Sequence, residues 1–229
     1  MKAAILGVDF GLSKINSTLT GLESGDLIMD HELRYWWEVQ ANNWLETNPE
    51  NLWEVSQQVV EAVLEKSKGL DIEIHAIVLS CFGEAIVPVD KNGNHLYPII
   101  GSNDIRAEEE TKQMGLAIPN YSQITGGNVA ASSAASKILW IRNNRPEVFQ
   151  QTDSFFSLQQ YILKKMGVSP VNDNTMASRK MLYDLQKREW SEEILKFIQI
   201  SSDQLGTVSS SATVVDEINH YGRAGFGYK

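Results

Sequence analysis

The chain has 229 residues, a net charge of −9 and 42% hydrophobic residues, a composition typical of an ordinary globular protein. The negative charge argues against a protein that binds nucleic acid through a basic surface. No run approaches the roughly 20 apolar residues of a membrane span, and the N-terminus lacks the regions of a secretory signal. The single cysteine, Cys81, excludes an internal disulfide and favours a cytoplasmic location. We therefore expect a cytoplasmic protein with no nucleic-acid or membrane partner.

The first stretch of the chain, residues 3–8, is a short apolar run that predicts a buried β-strand. Asp9 follows this run, Gly11 permits a tight reversal, and the chain then returns in an alternating pattern that predicts a second strand. The turn of this hairpin, with Gly11, Ser13 and Lys14, can face a phosphate group, and Asp9 can hold a hydrated Mg²⁺. An ordinary hairpin turn is the alternative, because Asp, Gly and Ser are common turn residues.

The next segments predict a third strand, a helix and a parallel strand. Residues 27–37 follow a turn and predict the third strand of a meander. Asn48 is a good helix cap with Pro49 at the first helical position, and apolar spacing continues this helix to about Lys68. Residues 71–80 then predict a strand. The helix before it forms the crossover connection, as in a β-α-β unit.

Two of the three features between residues 36 and 106 leave alternatives open. The dense tryptophans of residues 36–53 can stack on sugar rings or pack onto the core. Residues 86–89 and 95–100 predict a hairpin around an Asn-Gly turn. The polar cluster at residues 101–106 lies at a strand-to-helix junction, where α/β proteins bind ligands, but it also suits a simple helix cap.

The remainder of the chain predicts mostly helices within the same domain, because no linker or internal repeat interrupts it. The predicted parts are a Gly-rich loop at 125–130, helices at 131–144, 146–151 and 159–166, a buried strand at 155–158, and two further segments at 176–188 and 191–198. The last residues have no periodicity, so we expect a poorly ordered tail at 216–229.

Five separated stretches resemble, in the same order, the amino-terminal half of the FGGY carbohydrate kinases, whose members include xylulose, gluconate, glycerol and fuculose kinases. Residues 7–14 resemble the first phosphate loop of that family, which usually reads Asp-x-Gly-Thr-Ser/Thr. Three further stretches, at 46–53, 96–106 and 137–149, are similar to the helix entry, the Asp-x-Arg segment and the Lys-Leu-x-Trp run with Pro-Glu of the family. A last stretch, at 177–191, ends the match.

The resemblance implies an α/β fold of the actin-like (ribonuclease H-like) type, with a mixed β-sheet and flanking helices. It also implies transfer of a phosphoryl group from ATP to a hydroxyl of a sugar, sugar acid or polyol, with Mg²⁺ as the metal. Asp9 would hold the metal as the catalytic carboxylate, and the phosphate would lie near Gly11, Ser13 and Lys14. The residues that the resemblance places against the substrate are Glu84, Asn103, Asp104 and Arg106.

The chain also departs from the family pattern. Leu12 replaces the usual Thr of the phosphate loop, and Ser102 stands where many members carry Trp. The family's general base, in a Gly-Gly-x-x-Asp segment, is expected beyond residue 229, together with the carboxy-terminal ATP-binding domain. We therefore expect residues 1–215 to be the substrate-side domain, inactive alone. A non-catalytic sugar-binding fragment, an unrelated actin-like ATPase or scaffold, and a homodimer all remain open.

Overall fold

The computed structural model describes residues 2–40 and 42–217, so most of the predicted tail at 216–229 lies outside the described residues. Its longer strands are β1 (Lys2–Phe10), β2 (Lys14–Gly21), β3 (Leu27–Arg34) and β6 (Ile72–Cys81). The shorter strands are β4 (Glu38–Val39), β5 (Leu45–Thr47), β7 (Val87–Val89), β8 (Ile99–Ile100), β9 (Ser154–Phe156), β10 (Asn172–Asp173), β11 (Tyr183–Asp184), β12 (Glu189–Trp190) and β13 (Val208–Ser209). The helices are α1 (Pro49–Lys66), α2 (Glu108–Ala117), α3 (Tyr121–Thr125), α4 (Ala134–Asn144), α5 (Pro146–Gln151), α6 (Leu158–Lys165), α7 (Asn174–Arg179) and α8 (Glu192–Ile198).

The central sheet is mixed, with strand order β3-β2-β1-β6. The first three strands form the predicted antiparallel meander, and β6 joins β1 in parallel after the α1 crossover. Alternate residues of β1 and β2, from Leu6 and Val8 to Ile15 and Leu19, are buried on one face of the sheet. The opposite face, which includes Gly7 and Asp9, is only partly covered within the described residues.

Helix α1 covers the buried face of the sheet and begins where the sequence predicts. The Asn48 side chain accepts a hydrogen bond from the Glu50 backbone N–H, and Pro49 occupies the first turn. One face of the helix, with Leu52, Val59 and Val63, packs into the same core as β1 and β2. Burial of this apolar stripe provides most of the stability of such a helix.

A second core lies among the later helices. Apolar residues from α2, α3, α4 and α8 meet there with Phe155 of β9 and Leu182. Helix α3 was not predicted; it places Tyr121 in this core, where the phenol donates a hydrogen bond to the carbonyl of Met181. Only the tertiary packing indicates this short helix, because its five residues are too few for a clear period.

The predicted hairpin at 86–100 is wrong in its pairing. The turn forms, with Asp90 and Asn94 hydrogen-bonded across it, but only one bridge, between Val89 and His95, continues from it. Strand β7 instead pairs with β9, and β8 pairs with β5. Pro98 lacks a backbone N–H, and all residues of β7 and β8 are buried, so burial against other strands determines the pairing.

The segment predicted at 176–188 divides into two structures. Helix α7 ends at Arg179, Met181 follows with a positive φ of 60°, and β11 and β12 then form a small antiparallel ladder. No helix among the described residues is long and apolar enough to cross a membrane.

Candidate active site

Asp9 lies at the carboxyl end of β1, beside Ser80 of the parallel strand β6 and Asn16 of β2. Its carboxylate is exposed and lines a small open depression of about 130 Å³. The side-chain oxygen of Asn16, which also lines the depression, is buried and has no hydrogen-bond partner in the described part of the chain. These oxygen groups fit a hydrated Mg²⁺, which uses one or two carboxylates and keeps several waters. Residues 2–40 and 42–217 contain no cluster of three His, Cys, Asp or Glu side chains suited to a metal.

Two aromatic side chains donate hydrogen bonds to the backbone of the turn after Asp9. The Tyr35 hydroxyl donates to the Gly11 carbonyl at 2.7 Å, and the Trp37 indole donates to the Leu12 carbonyl at 2.6 Å. The Gly11 N–H donates to the Lys14 carbonyl at 3.0 Å, which closes the turn. The Trp37 ring is also 6.2 Å from the Phe82 ring, so it links the turn to the loop that follows β6.

We expect Trp37→Phe to loosen this turn while keeping an aromatic ring in place. The substitution removes the hydrogen bond to the Leu12 carbonyl, which is worth about 1 kcal/mol of stability. Amide hydrogen exchange of residues 11–14 is expected to accelerate. Trp36→Phe is the matched control, because Trp36 is 77% exposed; equal exchange rates in the two variants would contradict the role of Trp37.

Lys14 does not point toward the depression in this structure. Its ammonium pairs with the carboxylate of Glu32 on the neighbouring strand, and both side chains are about half exposed. This hydrogen bond lowers the pKa of Glu32. An exposed ion pair of this kind contributes little to stability, so the lysine is free to exchange Glu32 for a phosphate.

Glu84 lies in the loop after β6, close to the end of β1, because Phe82 N–H donates to the Phe10 carbonyl. Its side chain forms an ion pair with Arg179, the last residue of α7. The Glu84 carbonyl accepts a hydrogen bond at 3.1 Å from Lys137, a buried lysine of α4. The structure therefore brings Glu84 together with Arg179, a residue to which the sequence analysis gave no role.

Asp104 and Arg106 are buried and paired with protein groups. The Asp104 carboxylate accepts hydrogen bonds from the Arg106 guanidinium and from the Leu45 backbone N–H, and Arg106 also donates to Glu46 at 2.6 Å. The Arg106 guanidinium lies 4.2 Å from the centre of the Trp44 ring. Both side chains have no solvent exposure, whereas the neighbouring Asn103 is exposed. Asn103 is therefore accessible to a ligand. Asp104 and Arg106 instead fix the loop through their hydrogen bonds to Leu45 and Glu46.

These contacts assign Trp44 and Trp53 to the core and exclude Asp104 as a helix cap, whereas Trp36 is exposed. Trp44 packs edge-on against Trp140 at 5.4 Å and Trp53 is buried, so both belong to the core. Asp104 caps no helix, because α2 begins after Ala107 without a side-chain cap. The polar cluster is instead an ion-pair network that ties the loop to β5.

Arg179 and Tyr35, for which no role was predicted, contact the Glu84 side chain and the turn after Asp9. Trp37, predicted to stack on a sugar or to pack onto the core, hydrogen-bonds to the same turn. Arg179 is followed by another basic residue, Lys180, and only the structure shows that one is exposed and the other buried. Gly83 gives the one available signal, since a glycine beside Glu84 suggests a close approach of other atoms.

Comparison with known proteins identifies the family of this chain. The model of the FGGY family of carbohydrate kinases, N-terminal domain, matches residues 4–229. This chain belongs to that family. The xylulose kinase of Escherichia coli K12 is 26% identical over 200 residues, covering 87% of this chain and 41% of that protein. The gluconokinase of Bacillus subtilis 168 is 26% identical over 208 residues, covering 90% of this chain and 40% of that protein.

The FGGY chain also has the fold of solved carbohydrate kinases. The crystal structure of gluconate kinase from Lactobacillus acidophilus superposes with a TM-score of 0.90 at 21% identity, covering 100% of this chain and 46% of that one. The actin-like fold and the mixed sheet with flanking helices are thereby confirmed. The chain spans less than half the length of the relatives it matches.

Proposed function

We propose that this chain is the substrate-side domain of an ATP-dependent kinase that phosphorylates a hydroxyl of a sugar, sugar acid or polyol. The observation that supports this most strongly is the FGGY family match over residues 4–229, together with the exposed Asp9 at the end of β1. The named relatives phosphorylate different substrates, xylulose and gluconate, so the family alone does not select one.

In this proposal each group has a stated task. Bound Mg-ATP supplies the phosphoryl group. Asp9 and Asn16 would hold the hydrated metal through their oxygen atoms, and the turn at Gly11 and Ser13 would face the transferred phosphate. Phosphoryl transfer depends mainly on positioning and on stabilising spread negative charge, which suits a rigid turn more than a reactive side chain.

The substrate would lie in front of the loop after β6, between Glu84 and the exposed Asn103. A carboxylate accepts hydrogen bonds from hydroxyl groups, and an amide both donates and accepts. Asp104 and Arg106 keep their predicted place near the substrate only as positioning groups, because their side chains are enclosed. The 229-residue chain alone is proposed to bind the sugar in a cytoplasmic setting and to transfer no phosphate without the family's carboxy-terminal half.

The proposal is tested by the melting temperature of the chain with sugars, in the presence and absence of Mg-ATP. A ligand that binds only the folded state raises the melting temperature with concentration. We expect a sugar to produce this shift, and we expect Asp9→Asn to abolish any additional shift from Mg-ATP. Asp26→Asn is the matched control, since Asp26 lies in the exposed turn before β3.

Two results would count against the proposal. A shift with Mg-ATP alone, and none with any sugar, would favour an actin-like ATPase or scaffold. The absence of a shift with any sugar at tens of millimolar, with or without Mg-ATP, would contradict a sugar site in this domain.

A further inference from the structure

The ion pair between Glu84 and Arg179 is accessible to a ligand. The Glu84 side chain is 17% exposed and the Arg179 side chain is 61% exposed. Arg179 is the exposed partner, and an ion pair that solvent reaches contributes little to folding, because side-chain entropy and screening offset the attraction. The pair is therefore available for binding, and its loss is not expected to unfold the domain.

Gly83 is what allows Arg179 to reach Glu84. A Cβ atom at position 83 would lie 2.4 Å from the Arg179 Cβ and 2.6 Å from its Cγ. These atoms form the stem of the arginine and not its flexible end, so a side chain at 83 would displace the arginine as a whole. The glycine and the arginine thus form one arrangement, although they lie far apart in the sequence.

Two buried lysines anchor the backbone at Glu84 and next to Arg179. Lys137 donates to the Glu84 carbonyl at 3.1 Å. Lys180, directly after Arg179, donates to the Phe155 carbonyl at 3.0 Å and to the Gln160 side chain at 2.9 Å. A binding group that is already held in its bound position loses less conformational entropy when a ligand arrives.

The chemistry of the pair suits two adjacent hydroxyl groups. A carboxylate only accepts hydrogen bonds and a guanidinium only donates them, whereas each sugar hydroxyl can do both. One hydroxyl can donate to Glu84 while its neighbour accepts from Arg179. The guanidinium of Arg179 is already paired with the carboxylate of Glu84. The negative charges of Asp9 and Asp173 also lie close enough to Cys81, at the end of the neighbouring strand, to act on it. This arrangement disfavours a substrate that carries its own negative charge.

We propose that Glu84 and Arg179 form a diol clamp that makes this domain select a neutral sugar or polyol over a sugar acid. The inference rests on the proposed function and names its substrate class. Arg179 is the specificity-determining residue. The absence of a side chain at Gly83 leaves the space that the Arg179 side chain occupies.

Saturation-transfer NMR with the full 229-residue chain tests the clamp, because it measures millimolar dissociation constants. The probes are D-xylulose and glycerol as neutral compounds and D-gluconate as the acid. We expect at least one neutral probe to bind roughly tenfold or more tightly than gluconate. We expect Arg179→Gln and Glu84→Gln each to raise the dissociation constant of that neutral probe by about tenfold or more. We also expect Gly83→Ala to weaken binding of the neutral probe, although the charges of Glu84 and Arg179 both remain. Glu84→Gln is expected to improve the binding of gluconate relative to that of the neutral probe.

Arg34→Gln, an exposed arginine of β3, is the matched control, and circular dichroism verifies the fold of every variant. Preference of the wild-type chain for gluconate, or neutral-sugar affinity within twofold of wild type in Arg179→Gln, would overturn the clamp and leave the kinase proposal standing. Binding of no probe at tens of millimolar would contradict the proposed function itself, and the clamp with it.

Discussion

Replacing Arg106 with methionine is expected to lower the free energy of unfolding by about 3–5 kcal/mol, because it leaves buried carboxylates without their partner. Arg106 has no exposed side-chain surface and joins Asp104 and Glu46 between the rings of Trp44 and Trp140. Burial opposes the charged form of Asp104, but the hydrogen bonds from Arg106 outweigh it and lower the pKa of this carboxyl. Urea denaturation measures the change directly.

Two further variants make this test sharper. Lys112→Met removes a cation whose pair with Glu109 is 69% exposed on both sides, and we expect a change below about 1 kcal/mol. Arg106→Lys keeps the charge but loses the planar fork that binds Asp104 with two nitrogens, so we expect it to destabilise as well. A loss below about 1 kcal/mol in Arg106→Met would mean that the network is not needed for the fold.

The stability of the domain is expected to rise between pH 7 and pH 9. Burial lowers the pKa of Lys180 to about 7, and burial, against a smaller opposing effect of Asp104, lowers the pKa of Lys137 to about 7. An unfolded lysine has a pKa of about 10.4, so above pH 7 the unfolded chain binds more protons than the folded one. The free energy of unfolding then increases with pH, by up to about 1.4 kcal/mol per pH unit for each lysine.

Above about pH 9 a group of the opposite sign makes this rise in stability smaller. Burial, with the charges of Asp9 and Asp173, raises the pKa of Cys81, so stability from this thiol is lost above about pH 9, near its unfolded pKa. Urea denaturation at pH 7, 8 and 9 measures the slope. Lys180→Met is expected to remove about half of it, and a flat or falling profile in the wild-type chain would show that both lysines keep their charge in the fold.

The first part of the fold was largely predictable because its signals are local. The apolar run before Asp9, the glycine in the turn and the Asn48-Pro49 pair each specify their own backbone geometry, and the structure has these elements near the predicted positions. The exposed place of Asp9 follows from the same pattern, because the carboxyl end of a buried strand opens at the edge of the sheet.

The predicted site was less complete, since its groups come from distant segments. The polar cluster at 101–106 indicates a loop between a strand and a helix, but it does not show that Trp44, Glu46 and Trp140 enclose Asp104 and Arg106. The failed hairpin at 86–100 has the same cause. A turn specifies that the chain reverses, whereas the partner of each strand depends on which apolar surfaces can be buried together.

By itself, the sequence determined the early strands, the α1 crossover and the exposed carboxylate of Asp9, because strand alternation, helix caps and turns act over a few residues. Only the tertiary structure decided that Arg179 meets Glu84 beside Gly83, that Lys137 and Lys180 are buried near this pair, and that Trp37 hydrogen-bonds to the turn after Asp9. Such contacts join residues of distant segments, and their geometry is determined by the packing of whole elements, which no local pattern contains.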